Sequence, residues 1–218
     1  MTEAEWLACE DPMKSVHRLI GTASERKLRL AASGCCRLFT NRLYLPITHA
    51  ALDLCERQAE NPQDEAVRVA LAGVHQELLG FNCHRHLVAE EGSALRAVTS
   101  AARPVVDPGI YHHDVCFVVI ALLEPTNRLR RTQLYRLLRD IFGNPSRPVA
   151  FSPEWRTDTA VALARTMYES RDFSAMPILA DALQDAGCDN ADVLNHCRDT
   201  PLTHVRGCWV VDLVSAKE

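Results

Sequence analysis

The residues best suited to chemistry crowd into one stretch near the end of the chain, 179–211, which holds Cys188, His196, Cys197, His204 and Cys208 among several aspartates. Thiolate sulfur and imidazole nitrogen together suit four-coordinate zinc, so these five residues are candidate ligands of a structural zinc site. The spacings run eight residues from Cys188 to His196, seven from Cys197 to His204 and four from His204 to Cys208, with no CxxC knuckle among them. A second chemistry would use Cys208 as a nucleophile with His204 or His196 as its base, although no nucleophile signature surrounds it. The third reading involves no chemistry: a packed helical hairpin whose cysteines are small apolar core groups. Asp181 and Asp185 fall one turn apart on a helix, where two carboxylates repel unless a metal, an arginine or water neutralises them.

Binding surfaces are suggested by charge. Between Arg128 and Arg139 there are five arginines and no acid, and Arg128, Arg130, Arg131 and Arg139 are the candidate contact residues for an acidic partner. A second basic group, Arg26, Lys27, Arg29, Arg37 and Arg42, reads either as a phosphate-binding surface or as a solvated helix flank. Nucleic acid is a weaker candidate partner, because the whole chain carries a net charge of −4 and no helix-turn-helix signature accompanies either group. Two smaller clusters, Cys83-His84-Arg85-His86 and His112-His113-Asp114, hold ligand-type residues, and each also reads as the polar start of a helix.

Helices must position all of these. Thr2 and Glu5 have capping-box spacing, and Asp11 before Pro12 places an N-cap ahead of a proline at the first helical position. From Ser24, the residues Leu28, Ala31, Ala32, Cys35, Leu38 and Phe39 recur at steps of three and four, which is one helix face, with Cys36 at its edge and the basic residues largely off it. Pro46 opens a helix closed by Asn61-Pro62, and Val67, Leu71, Val74 and Leu78 stripe the next one up to Gly80. Arg103-Pro104 to Pro108-Gly109 cannot continue a helix and marks a candidate domain boundary. The apolar run Val115–Leu123 fits a strand or a buried helix, and its helical surroundings favour the helix.

Asn127 can cap a helix whose apolar face is Leu134, Leu137, Leu138 and Ile141. Beyond the proline-rich segment 143–153, Ser152 and Pro153 are expected to start a helix anchored by Trp155, with Ala160, Leu163, Ala164 and Met167 inward. Pro177 can open another that stops at Gly187. Asp189 is expected to cap a short helix over NADVLNHC, and a terminal helix is favoured over a strand for the run from Trp209.

Apolar residues make up 47% of the 218 and charged residues 24%, the balance of a globular chain that needs no metal or disulfide to build a core. Nine cysteines is an odd number in a chain of ordinary size, which argues for free buried thiols rather than a disulfide framework. Residues 1–16 carry acids where a secretory signal would carry basic residues, and no apolar run approaches the length of a membrane span, so a cytoplasmic protein without a membrane partner is expected.

The segments LRDIFGNPSRP, PILADALQDAGCDNADVLNHCR and HVRGCWVVD, with the TEAEWL-type start, resemble a pattern shared among uncharacterised bacterial proteins. The resemblance covers roughly 138–212 and the first few residues. It implies a bacterial cytoplasmic origin and transfers no activity and no site residue. These readings converge on an all-α protein of about ten helices, a helical bundle or an array of helical hairpins, divided into 1–103 and 104–218 or folded as one domain. The leading functional expectation is a non-enzymatic interaction module with a protein partner and no cofactor. The alternative is a metal- or thiol-dependent enzyme centred on the C-terminal Cys/His cluster.

Overall fold

The computed structural model describes residues 2–38, 46–84, 89–103, 128–199 and 203–217, with backbone alone for 82–84, 89–93 and 128–130. The protein is all-α. Among the described residues the helices are α1 (Glu3–Ala8), α2 (Pro12–Leu19), α3 (Glu25–Arg37), α4 (Pro46–Glu60), α5 (Glu65–His84), α6 (Ala89–Ala101), α7 (Arg128–Phe142), α8 (Asp158–Ser170), α9 (Met176–Asp185), α10 (Ala191–Arg198) and α11 (Trp209–Val214). No strand occurs among the described residues, and no helix among them is long and apolar enough to cross a membrane. The Pro104–Gly109 break, the run Val115–Leu123, His112-His113-Asp114, His86 and Arg42 lie outside the described residues, as do the side chains of Cys83, His84, Arg128 and Arg130.

The chain forms two compact units, 1–138 and 139–218. In the first, α3, α4, α5 and α6 pack on one another around Leu28, Ala32, Cys35, Leu52, Cys55, Leu71, Leu78, Leu95 and Val98. Its local signals read as written: Thr2 and Glu5 exchange both capping-box hydrogen bonds, Asp11 caps α2 ahead of Pro12, and Ser24 caps α3. The basic residues of α3 depart from the expected solvated flank. Arg29 is buried against Glu25 at 3.1 Å and Gln58 at 3.2 Å. Arg37 bridges Asp53 and Glu56, and Arg26 meets Glu60 at 2.8 Å. The acids of α4 therefore neutralise two of the cations, Arg26 and Arg37, because α3 and α4 pack side by side and a half-buried guanidinium needs a carboxylate partner. Cys36, expected at the edge of the face, is buried beside Cys35.

The second unit packs α8, α9, α10 and α11 around Ala164, Met167, Phe173, Met176, Leu179, Leu183, Val193, Val210 and Val214. Two helix starts differ from expectation by a few residues. Ser152-Pro153 opens only a single 3₁₀ turn, Pro153–Trp155, where Trp155 meets Phe151 edge-on, and α8 starts at Asp158 under a Thr157 cap. Asn190, not Asp189, caps α10, because its side-chain oxygen reaches the backbone N–H groups of both Asp192 and Val193. At the end of α9 the N–H of Cys188 bonds the Leu183 carbonyl and that of Gly187 bonds Gln184, a Schellman ending that requires the positive φ of Gly187.

Candidate metal centre

One acid interrupts the apolar stripe at the end of α7. Asp140 follows Leu137 by three residues, so it falls on the buried face, and its side chain is fully buried. A buried carboxylate needs several donors, and three residues supply them from the later part of the unit. His204 Nδ1 lies 2.6 Å from Asp140 Oδ1, His196 Nε2 lies 3.1 Å from the same oxygen, and the backbone N–H of Val205 donates to Oδ2 at 3.0 Å. Cys208 Sγ stands 3.2 Å from His196 Nε2 and 3.9 Å from His204 Nδ1. One ligand-type atom from each of Asp140, His196, His204 and Cys208 thus lies within 4.8 Å of every other.

The segment His204–Trp209 explains this convergence residue by residue. His204 supplies a ring nitrogen and Val205 a backbone donor. Arg206 pins the segment to the end of α8, its Nε donating to the Tyr168 carbonyl at 2.7 Å and its Nη2 to that of Glu169 at 3.1 Å, with the guanidinium over the Tyr168 ring. The N–H of Cys208 closes a turn on the Val205 carbonyl at 3.0 Å, and Gly207 provides the φ of +91° that the third position of such a turn demands. That turn aims Cys208 Sγ back at His204. Trp209 then donates its indole N–H to His196 Nδ1 at 3.1 Å, while its ring lies on Gly143 just beyond α7. His196 itself comes from the last turn of α10.

The electrostatics follow from burial. Desolvation opposes charge on Asp140, but hydrogen bonds from His196 and His204 overcome it and hold the carboxyl at about 2, below its ordinary 3.8. Burial, with the Asp140 charge adding to it, pushes the Cys208 thiol well above its ordinary 9.0. A cation at the centre would reverse that, since a coordinating thiol is deprotonated outright.

Two arrangements of these atoms are chemically distinct. A Cys–His–Asp relay needs the base to face its orienting carboxylate with one ring nitrogen and the sulfur with the other. Here a single nitrogen of each histidine, Nε2 of His196 and Nδ1 of His204, faces both the carboxylate and the sulfur. That is convergence on a point, the geometry of coordination. Tetrahedral zinc, with bonds of about 2.0–2.3 Å, places its donors about 3.3–3.6 Å apart. Of the four separations given above, three lie within a few tenths of an ångström of that range and the 2.6 Å contact would open by about 0.7 Å on loading, while the other two pairs, Asp140 with Cys208 and His196 with His204, lie within 4.8 Å.

Of the five ligand candidates suggested by residue type, the structure brings His196, His204 and Cys208 together and leaves Cys188 and Cys197 in the hydrophobic core. Cys188 is the residue that completes the Schellman ending of α9, where an apolar group packs back on the helix. Cys197 follows His196 directly, so the two side chains diverge by about 100° around α10 and only one can face the cluster. Burial pushes the Cys197 thiol up to about 12. Asp140 was legible only as an acid inside an apolar helical stripe. Elsewhere, Asp181 meets Arg198 at 3.0 Å, and in the arginine run Arg131 and Arg139 are half-buried while Arg136 is exposed. No protein-family model, curated protein or solved structure matches the chain.

Proposed function

We propose that residues 139–218 form a metal-organised helical module, in which Asp140, His196, His204 and Cys208 hold one zinc ion as a structural centre, and that the protein works by binding rather than by catalysis. The observation that carries this reading is the convergence of four ligand atoms of the right chemistry on one buried point. Two further features support it. One carboxylate and one thiolate neutralise a divalent cation, which a buried site requires. A set of four protein ligands leaves no coordination position open to a substrate, and the closed set is the pattern of structural zinc. The mixture of two imidazoles, one sulfur and one oxygen suits zinc better than magnesium or calcium, which take oxygen ligands.

The module would tie the start of the unit at Asp140 to its last turn and helix at His204 and Cys208, beside the apolar packing of α8 to α11. The partner we assign is a protein with an acidic face, met by the arginine run Arg128–Arg139. The test of the centre is the metal content of the full chain prepared without an affinity metal, together with its melting temperature before and after chelation. About one equivalent of zinc per chain, with a lowered melting temperature once it is removed, is expected. Protein that takes up no zinc when it is offered, and whose melting is indifferent to both zinc and chelator, would refute the centre.

A further inference from the structure

The four-ligand reading and one hydrogen bond make opposed demands on His196. An indole nitrogen is a donor only, so the 3.1 Å contact from Trp209 Nε1 makes His196 Nδ1 an acceptor with its lone pair directed at the indole. A neutral imidazole carries a single N–H, which then sits on Nε2, facing Asp140 Oδ1 at 3.1 Å and Cys208 Sγ at 3.2 Å. Coordination needs the opposite tautomer, with the lone pair on Nε2 and the hydrogen on Nδ1. That hydrogen would meet the indole N–H head-on.

We propose that Trp209 is a positioning residue that holds His196 in the tautomer excluding the metal, so that the Trp209–His196 hydrogen bond and metal loading are alternatives. The inference rests on the four-ligand centre proposed above. Ligation-competent histidines ordinarily donate their second N–H to a carboxylate, carbonyl or water, which raises affinity. Trp209 offers a donor where such a site wants an acceptor, and so it lowers affinity. Its seat is built into the unit, because the indole lies on Gly143, where a β-carbon would come within 3.1 Å of Trp209 Cγ. The indole N–H is thereby aimed by packing as well as by the hydrogen bond. On loading, the hydrogens on His196 Nε2 and His204 Nδ1 are lost to solvent and one is gained on the other nitrogen of each ring, the Cys208 thiol releases its proton, and the indole turns away from His196. The net change is one proton released per divalent ion bound, with no redox step.

Two measurements test this on the full chain. In metal-free protein labelled with ¹⁵N-histidine, His196 is expected as the Nε2–H tautomer, changing to Nδ1–H with a metal-bound Nε2 when zinc is added. In Trp209→Phe, which keeps an aromatic ring and removes the donor, zinc measured against a competing chelator is expected to bind about two- to ten-fold more tightly, the worth of one hydrogen bond. Cobalt in place of zinc should give the same visible bands in both proteins, since the four ligands are unchanged. A metal-free His196 already in the Nδ1–H form overturns the inference without any variant, even if Trp209→Phe fails to fold. Equal or weaker zinc binding by a folded Trp209→Phe overturns it too, while leaving the centre standing. Absence of zinc and cobalt binding in both proteins overturns the centre itself and this inference with it.

Discussion

Gly143→Ala puts the packing around the centre to a quantitative test. Gly143 has φ of +59°, a conformation that costs an L-residue about 1–2 kcal/mol. A β-carbon there would also lie 3.1, 3.2 and 3.3 Å from Cγ, Cδ2 and Cδ1 of Trp209. Those atoms belong to a rigid ring held between Gly143 and His196, so the ring must move, and forced overpacking of this kind costs about 1–3 kcal/mol. The expected loss is therefore about 2–5 kcal/mol in all. Gly187→Ala is the matched control: its φ is +86° and nothing lies within 4 Å of the added carbon, so it should lose the conformational part alone. Urea unfolding followed by far-UV circular dichroism would give both values. The reasoning fails if Gly143→Ala costs no more than Gly187→Ala, because then the indole does not rest on that glycine as described.

Other outcomes follow from the same geometry. Asp140→Asn should cost about 3–5 kcal/mol, because it sets an amide N–H₂ among donors from His196, His204 and Val205, and it should remove zinc uptake as well; chemical denaturation and metal content check both. Arg37→Ala should destabilise the first unit by about 3 kcal/mol by removing the guanidinium that pairs with buried Glu56, and the double change with Glu56→Gln should recover most of that loss. The thiols of Cys35, Cys55 and Cys197, each pushed up to about 12 by burial, should resist alkylation at pH 8 until the chain unfolds. Their folded values lie above the ordinary 9.0, so the stability they contribute is intact below pH 9 and is lost as pH rises from 9 towards 12. The slope per thiol is about 1.4 kcal/mol per pH unit, readable from denaturation midpoints across that window.

The helices were legible because their signals are local. A Thr2–Glu5 capping box, a proline after Asp11 and a glycine at 187 each act within one turn, and the apolar stripes of α3 and α5 need only the 3.6-residue period. Where several capping groups compete, the sequence does not decide. Asn190 prevails over Asp189 by the direction of one side chain, and Ser152-Pro153 yields a single 3₁₀ turn because Thr157 offers the next helix a better start. Charge was legible only as composition. That Arg26 and Arg37 would meet the acids of α4, and Arg29 its Gln58, depends on which helix packs against α3, and that is a tertiary fact.

The centre shows the same limit more sharply. Residue type pointed to His196, His204 and Cys208, but it pointed equally to Cys188 and Cys197, since a thiol in the core and a thiol on a metal are the same letter. What separates them is the turn around α10 that splits His196 from Cys197, and the Schellman ending that claims Cys188. Asp140, 56 residues before His196, carries no spacing signal at all, and its distinguishing mark is physical. An acid three residues after Leu137 on an apolar face must find donors or lose its charge, so its presence there implies partners elsewhere in the chain. His196, His204 and the Val205 N–H are those partners. The demand is the same whether the centre holds a metal or only hydrogen bonds, which is why the tautomer of His196, rather than the proximity of the four residues, is the property that separates the two states.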